Sequence, residues 1–408
     1  MGSYTIKFLY PPKDISIKLN SSKSESNRLI IIKALSKEKI EIKNLSNAND
    51  TSLLNNLINF NSTNTWNAED AGTSMRFLTS YLSLTKNGAL LTGTDRMKKR
   101  PIKILVEALR EIGANILYKE EEGYPPINIK RKIVQKINNI DIRGDVSSQY
   151  ISSILMIAPK LENGLGINII NPFYSKSYVK MTLSLMEVFG IKYLFSENQI
   201  IIKSQDYKGG SYTVESDWSA ASYWYSILSI NKDIDKINLI GLRNKSLQGD
   251  QIIAKIMSLM GIVTNFNDRG IEIRKNNSVC DYLELDFKDC PDLAQTVLIV
   301  AAYHKIKLKI YGVESLKIKE TDRLTAMKNE LHKIGVSFYK KENFWILDRR
   351  EKDFPNSVSI DTYKDHRMAM AFAPLASEID ITINNPEVVK KSYPMFWDDM
   401  KKVGYSIT

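Results

Sequence analysis

A helix that ends at glycine and continues into an extended segment recurs along this chain, and the recurrence limits the folds it can adopt. Copies occur at residues 105–116, 183–191, 256–263, 327–336 and 400–405. In each copy, apolar residues follow helical spacing and glycine permits the left-handed conformation that ends a helix. The copies lie roughly 70 residues apart, which is too long for a solenoid repeat and suits a module of strands and helices. Alternatively, these glycines only end individual helices, as they do in ordinary α/β proteins, and the spacing reflects no repeated module.

Strand-like runs lie between these helices. They occur at 127–129, 167–170, 200–202 and 271–273. The run 306–310 alternates apolar and charged residues, which is typical of a half-buried strand. Short β-branched segments between amphipathic helices predict a mixed α/β architecture.

The segment from Lys319 to Arg323 places two cations and two carboxylates before a helical pattern. A helix N-terminus has free N–H groups and a partial positive charge, so cations there are unfavourable unless an anion binds between them. Comparable polar segments precede other predicted helices at 21–28, 71–76, 147–149 and 365–367. A single segment of this kind is usually only a helix cap. Five of them indicate sites for phosphate and carboxylate groups.

Composition narrows the class of protein. A chain of 408 residues predicts two domains. The net charge of +11 fits either nucleic-acid binding or attraction of small polyanionic substrates. Its lysines are dispersed and not interleaved with stacking aromatic residues, so the second explanation is favoured.

Cysteine, histidine and hydropathy bear on metal sites and location. Two cysteines and three separated histidines predict neither a disulfide framework nor a metal site. The sequence lacks an apolar run of about 18 residues, and its first residues lack the apolar region of a signal peptide. We therefore expect a cytoplasmic protein without a membrane partner.

The motifs resemble, in order, those of one enzyme family, the 5-enolpyruvylshikimate-3-phosphate synthases or 3-phosphoshikimate 1-carboxyvinyltransferases. The matching segments are residues 22–28, 71–76, 96–101, 147–149, 175–178, 291–292, 319–323, 365–370 and 391–394. They span nearly the whole chain. The segments 319–323 and 365–370 are the most specific of them.

The resemblance implies an α/β fold of two similar globular domains, each built from three βαβαββ units. It places one domain at 20–215 and the other at 1–19 with 216–408, with the active site in the cleft between them. It also implies transfer of the enolpyruvyl group of phosphoenolpyruvate to the 5-hydroxyl of shikimate 3-phosphate, with release of phosphate. This reaction belongs to chorismate and aromatic amino acid biosynthesis. The family uses no metal or organic cofactor, and the expected partners are these small-molecule substrates, with no nucleic acid and a monomeric enzyme.

Site residues follow from the resemblance, position by position. The expected ligands of shikimate 3-phosphate are Ser24, Arg28, Ser147, Ser148, Ser175, Tyr178, Asp292, Ser315 and Lys319. The expected ligands of phosphoenolpyruvate are Lys23, Gly72, Arg96, Gln149, Arg323, Arg367 and Lys391. Asp292 is the candidate base for the 5-hydroxyl, Glu320 the candidate proton donor to carbon, and Lys23 a candidate stabiliser of the leaving phosphate. Glyphosate is expected at the phosphoenolpyruvate site.

Several positions depart from the family pattern. Asn20-Ser21 replaces Pro-Gly before the first motif, which puts the local turn in doubt. Asp70 replaces an asparagine, and an arginine is a conceivable partner for its carboxylate. Phe77 replaces a proline behind the helix of Gly72, and Ser315 replaces an asparagine. Every candidate catalytic group is present.

Other interpretations remain open. A UDP-N-acetylglucosamine enolpyruvyl transferase would carry a cysteine in the loop 93–96, and this chain has none there. A basic RNA-binding or RNA-processing protein is favoured only by charge. A binding protein without catalysis should have lost some of the candidate catalytic residues. Asp292 could also be a plain helix cap, and Tyr178 could belong to the core.

Overall fold

The computed structural model describes residues 2–348 and 353–408, apart from the side chain of Asn277. The α-helices of these segments are α1 (Lys23–Leu35), α2 (Asn49–Phe60), α3 (Gly72–Thr85), α4 (Lys103–Ile112), α5 (Ser148–Ile157), α6 (Lys176–Val188), α7 (Trp218–Ile230), α8 (Ile253–Ser258), α9 (Ala294–Tyr303), α10 (Arg323–Lys333), α11 (His366–Phe372) and α12 (Phe396–Lys402). The strands are β1 (Ser3–Phe8), β2 (Ser16–Lys18), β3 (Ile40–Lys43), β4 (Thr65–Asn67), β5 (Ala89–Thr92), β6 (Asn115–Tyr118), β7 (Ile127–Arg131), β8 (Asn139–Arg143), β9 (Leu165–Ile170), β10 (Tyr193–Ser196), β11 (Gln199–Ile202), β12 (Gly210–Thr213), β13 (Lys236–Ile240), β14 (Met260–Asn267), β15 (Gly270–Val279), β16 (Tyr282–Asp286), β17 (Lys307–Tyr311), β18 (Phe338–Lys341), β19 (Phe344–Leu347), β20 (Ser357–Asp361), β21 (Asp380–Asn384) and β22 (Tyr405–Ile407).

The chain forms two compact units. The central unit is Ser22–Val214, and the terminal unit consists of the residues up to Ser21 together with Glu215–Thr408. The chain therefore passes from one unit to the other twice.

The central unit contains two four-stranded sheets with the order β4-β5-β7-β6 and β10-β11-β9-β8. In each sheet a helix crosses between two parallel strands, a second helix follows, and an antiparallel hairpin closes the sheet. This is the βαβαββ unit that the resemblance predicts. The third sheet has only the parallel pair β12-β3, because α2 leads into β4 of the next sheet.

The terminal unit contains three four-stranded sheets. Their orders are β14-β15-β13-β2, β16-β17-β19-β18 and β20-β21-β1-β22. The second sheet is formed by one continuous βαβαββ segment. The first and third sheets each include a strand from the start of the chain, so the N-terminal segment supplies one strand to each of two units whose other strands lie later in the chain.

Buried helices form the centre of each unit. In the central unit α1, α3 and α5 pack together, and in the terminal unit α7, α9 and α11 do so. Nine consecutive residues of α9, from Ala294 to Ala302, are buried, as expected for a helix that is apolar on every side. Buried hydroxyls in α3 donate back to carbonyls four residues earlier, from Thr79 to Met75 at 2.7 Å, so they need no external partner.

Glycine ends several helices as the sequence predicts. Gly113, Gly190, Gly335 and Gly404 follow α4, α6, α10 and α12 with φ between 75° and 125°. Gly261 differs, because it lies inside β14. Within the described segments, none of the helices has the length and apolar character that crossing a bilayer requires.

Candidate active site

The first turns of α1, α2, α3 and α5 meet in the central unit. Lys23 Nζ lies 3.1 Å from Asp50 Oδ2, and the Ser74 hydroxyl donates to the Asp50 carbonyl at 3.3 Å. The Gln149 side-chain amide donates to the Thr73 hydroxyl at 3.0 Å. Since helix N-termini present free N–H groups, their convergence forms a surface suited to phosphate or carboxylate. Two predicted ligands of phosphoenolpyruvate, Lys23 and Gln149, belong to this surface.

Arg28 is a buried cation in the same unit, with 2% of its surface exposed. Its Nε donates to the Thr182 hydroxyl at 2.6 Å, and Nη1 donates to the Ser24 carbonyl at 2.8 Å. Its Nη2 donates to the Ser152 hydroxyl and the Tyr178 carbonyl, both at 3.3 Å. Burial lowers the pKa of Arg28 to about 10, so the guanidinium is still charged at neutral pH. These contacts fix its position between α1, α5 and α6.

Phe77, where the family usually has proline, packs beside this cation. Its ring is buried, and its centroid lies 5.5 Å from the Arg28 guanidinium carbon. The Tyr178 ring lies 5.8 Å from the same carbon. Both distances suit cation–π contacts. The bulk of Phe77 is therefore accommodated beside Arg28.

The loop that carries Arg96 is held near both ends. The Thr94 hydroxyl donates a short hydrogen bond to the Asp70 carboxylate. The Tyr150 hydroxyl donates to the Pro101 carbonyl at 2.6 Å. Asp70 thus contacts a hydroxyl across the loop, a partner that the sequence did not identify.

Gly72 begins α3 and lies against a second arginine. A Cβ atom at this position would stand 2.5 Å from Arg100 Nη1. Gly72 is an expected ligand of phosphoenolpyruvate, and the structure shows that the Arg100 guanidinium occupies the space that a Cβ atom would need. Arg76 Nη1 donates to the Gly72 carbonyl at 3.1 Å, so two arginines contact this residue.

The predicted serine ligands lie at helix starts. Ser147 caps α5, because its hydroxyl accepts from the Gln149 backbone N–H at 3.3 Å. Ser148 and Ser175 are 8% and 5% exposed. Ser175 precedes α6 in the left-handed conformation, with φ 55°.

Arg323 is the centre of the predicted site in the terminal unit. Its Nε lies 2.7 Å from Asp365 Oδ2, its Nη1 2.9 Å from Asp292 Oδ1, and its Nη2 2.8 Å from Glu320 Oε2. Only 2% of Arg323 is exposed. Burial alone lowers its pKa, but Asp365, Glu320 and Asp292 outweigh burial and raise the pKa above its usual value. One guanidinium therefore joins three segments that are distant in sequence.

Arg367 extends this network to α7. Its Nη2 lies 2.9 Å from Asp292 Oδ2, and its Nη1 donates to the Asp292 carbonyl at 3.1 Å and the Tyr223 hydroxyl at 3.2 Å. Its Nη2 also donates to the Ser219 hydroxyl at 3.4 Å. The Asp365 carboxylate caps α11 by accepting from the Arg367 backbone N–H at 2.9 Å. The starts of α7, α9, α10 and α11 therefore converge in this unit.

Asp292 is stabilised as a carboxylate. Burial by itself raises its pKa, but Arg367, Lys319 and Arg323 outweigh burial and hold the pKa well below its usual range. A carboxylate held in this way is a weak proton acceptor. Any role as a base therefore requires a bound ligand to draw the cations away from it.

Glu320 and Lys391 form the edge of the network. Glu320 Oε1 lies 3.6 Å from Lys391 Nζ, and the two side chains are 12% and 14% exposed. Ser315 is 6% exposed in the 3-10 turn Glu314–Ile318 that precedes Lys319. Both candidate catalytic carboxylates, Asp292 and Glu320, thus contact Arg323.

The unusual turn before Lys23 is held by other contacts. The Asn20 side chain donates to the Ser392 carbonyl at 2.8 Å, next to Lys391. The Ser22 hydroxyl caps α1 by accepting from the Glu25 N–H at 3.4 Å. The turn therefore forms without the Pro-Gly pair.

Sequence reasoning did not assign several residues that hold the predicted ligands in place. They are Asp50, Arg100, Thr182, Ser219, Tyr223 and the carboxylate of Asp365. Asp50 and Asp365 stand at helix starts, a signal that is shared with ordinary caps. The others contact their partners only because distant helices pack together. In the described parts of the chain, no three His, Cys, Asp or Glu side chains form a group that could hold a metal ion.

The fold defines the class of protein. A structure of EPSP synthase from Acinetobacter baumannii superposes with a TM-score of 0.78 and covers 100% of both chains at 21% identity. A second EPSP synthase structure from this organism gives a TM-score of 0.77. The predicted enolpyruvyl transferase fold is confirmed.

Sequence comparison identifies the family. A family model described as EPSP synthase (3-phosphoshikimate 1-carboxyvinyltransferase) matches residues 54–400. A protein of Bacteroides fragilis named 3-phosphoshikimate 1-carboxyvinyltransferase is 44% identical over 397 residues, which cover 96% of each chain. A protein of the same name from Pasteurella multocida is 34% identical over 428 residues, covering 96% of this chain and 95% of that one. The chain belongs to the EPSP synthase family, so the predicted family and transferase class are confirmed, and the two alternative classes gain no support.

Proposed function

We propose that residues of both units act together on one pair of substrates, shikimate 3-phosphate and phosphoenolpyruvate. The chain is a 3-phosphoshikimate 1-carboxyvinyltransferase of the shikimate pathway. The observation that supports the shared action is that each unit gathers anion-binding helix starts and buried cations at the predicted positions. The substrates carry two phosphates and two carboxylates between them, and charge-assisted hydrogen bonds to arginine and lysine suit both groups.

The binding roles follow the motif positions. Shikimate 3-phosphate is held by Ser24, Arg28, Ser147, Ser148, Ser175, Tyr178, Asp292, Ser315 and Lys319. Phosphoenolpyruvate is held by Lys23, Gly72, Arg96, Gln149, Arg323, Arg367 and Lys391. The buried position of Arg28 among hydroxyls and carbonyls supports a fixed, charged contact for the first substrate.

The proton transfers use the two carboxylates on Arg323. The 5-hydroxyl oxygen attacks C2 of phosphoenolpyruvate and gives its proton to Asp292, while Glu320 protonates the methylene carbon. The C–O bond to phosphate then breaks, and the Glu320 carboxylate takes a proton back from the new methyl group to restore the double bond. Lys23 stabilises the negative charge of the departing phosphate.

Ligand binding explains how Asp292 becomes a useful base. In the free protein Arg367, Lys319 and Arg323 hold its pKa well below its usual range against the opposing effect of burial. Anionic substrates bound to the same cations share their charge, so the stabilisation of the carboxylate weakens. The pKa of Asp292 then rises toward the range in which a general base works well.

We further propose a monomer in the cytoplasm. Cys280 and Cys290 are both free, which fits a reducing compartment. The charge of +11 attracts the polyanionic substrates.

Measuring phosphate release tests the proposal. Release should require both substrates, so omission of either should abolish it. Replacing Arg28 should raise KM for shikimate 3-phosphate, and replacing Arg367 should raise KM for phosphoenolpyruvate. Variants that fold and keep both KM values would show that the binding roles are misassigned.

A further inference from the structure

Asp250 is a buried carboxyl group that the proposed reaction leaves without a role. It lies in the 3-10 turn Gly249–Ile252, and 4% of its surface is exposed. Its Oδ2 accepts a short hydrogen bond from the Ser219 hydroxyl. Its Oδ1 finds no hydrogen-bond partner among the described residues. Because a buried polar side chain is costly, this position needs an explanation.

The Ser219 hydroxyl connects Asp250 to the active site. A serine hydroxyl has one proton, and here Ser219 gives that proton to Asp250. Its lone pairs are then directed elsewhere, and Arg367 Nη2 donates to this oxygen at 3.4 Å. Without Asp250 the hydroxyl could rotate and turn its proton toward the guanidinium. Asp250 therefore determines whether Ser219 accepts from Arg367.

We infer that Asp250 is a positioning residue, which acts through Ser219 to hold Arg367 in the orientation that binds phosphoenolpyruvate. The inference rests on the proposed contact between Arg367 and this substrate. It assigns Asp250 no contact with substrate. Its effect should therefore appear mainly in KM for phosphoenolpyruvate.

Ionisation of Asp250 should make the binding of phosphoenolpyruvate depend on pH. The charged and titratable groups that face Asp250 are Asp217 from the start of α7, Cys290 and Asp292 from the segment before α9, and Arg367 from α11. Burial and Asp292 raise the pKa of Asp250 to about 7, while Arg367 opposes the rise. The neutral carboxyl group still accepts the Ser219 hydrogen bond through Oδ2. It does not attract the Arg367 guanidinium, which then interacts electrostatically with Asp292 and the ligand. Ionised Asp250 competes for that charge, so binding should weaken as pH rises through about 7.

The test compares KM for both substrates from pH 6 to pH 8.5 in four variants. Asp250→Ala and Ser219→Ala remove the acceptor and the relay, and each should raise KM for phosphoenolpyruvate about 10-fold, as expected for loss of a hydrogen bond to a charged group. Asp250→Asn keeps an acceptor but cannot ionise. It should stay near wild type at pH 6 and should not show the wild-type rise in KM above pH 7. Ser226→Ala is the control, because Ser226 is buried on the same helix and its hydroxyl makes no hydrogen bond within the described structure.

Each variant is compared with the wild type at the same pH. The phosphate group of phosphoenolpyruvate titrates near pKa 6 in every assay, so this comparison cancels the effect of substrate ionisation on KM. Wild-type KM values for phosphoenolpyruvate in both Ser219→Ala and Asp250→Ala would overturn the inference, as would a pH rise that persists in Asp250→Asn. Thermal unfolding shows which variants fold. If Asp250→Ala does not fold, the KM values of Ser219→Ala and Asp250→Asn still test the inference.

A fifth variant separates this inference from the proposed function. Arg367→Gln should raise KM for phosphoenolpyruvate more than any other variant. If it does not, the proposed role of Arg367 fails. If it does while Asp250 and Ser219 variants keep wild-type KM, only the role of Asp250 fails.

Discussion

Replacing Arg323 should destabilise the terminal unit in a way that depends on pH. The side chain is 2% exposed and contacts the carboxylates of Asp365, Asp292 and Glu320 at 2.7 to 2.9 Å. Arg323→Gln keeps a polar side chain of similar length but removes the positive charge. Three buried or nearly buried carboxylates then lose their common partner.

The size of the effect follows from what remains around each carboxylate. Asp292 keeps Arg367 at 2.9 Å, and Glu320 keeps Lys391 at 3.6 Å. Asp365 is fully buried, and within the described residues no other arginine or lysine side chain forms an ion pair with it. Removing one partner of a buried ion pair costs about 3–5 kcal/mol. In a unit of this size that corresponds to a fall in Tm of about 6–20 °C.

The pH dependence has a definite sign. In the wild type the cations hold the pKa of Asp292 well below its usual range, so its contribution to stability is present above the ordinary Asp pKa and is lost as pH falls. In Arg323→Gln the buried Asp365 loses the arginine that balances its negative charge, so burial of that charge destabilises the folded state. The variant should therefore lose stability relative to the wild type as pH increases from 4 to 8, by up to about 1.4 kcal/mol per pH unit for each proton involved.

Urea unfolding followed by tryptophan fluorescence measures this effect. Four of the five tryptophans, Trp218, Trp224, Trp345 and Trp397, lie in the terminal unit, so the signal reports mainly on that unit. The matched control is Arg28→Gln, since Arg28 donates to hydroxyls and carbonyls rather than carboxylates. Because Arg28 lies in the central unit, its loss of stability is followed by far-ultraviolet circular dichroism of the whole chain, and it should change little between pH 4 and pH 8.

Two results would refute this reasoning. One is a loss in Arg323→Gln below about 1 kcal/mol at pH 8, less than removal of one buried partner should cost. The other is an equal loss at pH 4 and pH 8. The double variant Arg323→Gln with Asp365→Asn should regain stability, because asparagine can still cap α11 without leaving a buried charge.

Further outcomes concern catalysis. Asp292→Asn and Glu320→Gln should each lower kcat for phosphate release at least about 100-fold, and near-wild-type turnover in either would reject its role. Gly72→Ala should raise the inhibition constant for glyphosate and, less strongly, KM for phosphoenolpyruvate, because the new methyl group displaces the Arg100 guanidinium 2.5 Å away. Adding Arg100→Ala to this variant should change both constants little further. Additive effects of the two substitutions would contradict a shared cause. Excess EDTA should leave turnover intact, and inhibition by the chelator would show that a metal takes part. Because the pKa of free Asp292 lies well below its usual range, kcat/KM should show no acid limb from this group above pH 4, which a comparison with Asp292→Asn across pH would test.

Local sequence was sufficient for the elements and for the family. Glycines after helical patterns predicted where four helices end, since few other residues adopt positive φ at low cost. Alternating and β-branched runs predicted the strands at 127–129 and 306–310, because the side-chain period of a strand is visible over a few residues. Motif order predicted the fold class and the reaction. The shortened third sheet of the central unit was not foreseen, because nothing local in residues 61–64 shows which sheet the next strand joins.

What the sequence determined is the set of charged groups, and what tertiary structure decided is how they are paired. Lys319 to Arg323 and Asp365 to Arg367 stand out as polar helix starts in the sequence alone. Only packing of α9, α10 and α11 brings Asp292 and Asp365 onto the Arg323 guanidinium and places Arg367 beside Asp292, where the cations lower the pKa of the candidate base. The physical reason is the distance over which each effect acts. Helix caps and periodicity depend on neighbours within about four residues of the sequence. The pKa of a buried charged group depends on every group within several ångströms, whatever its position in the chain.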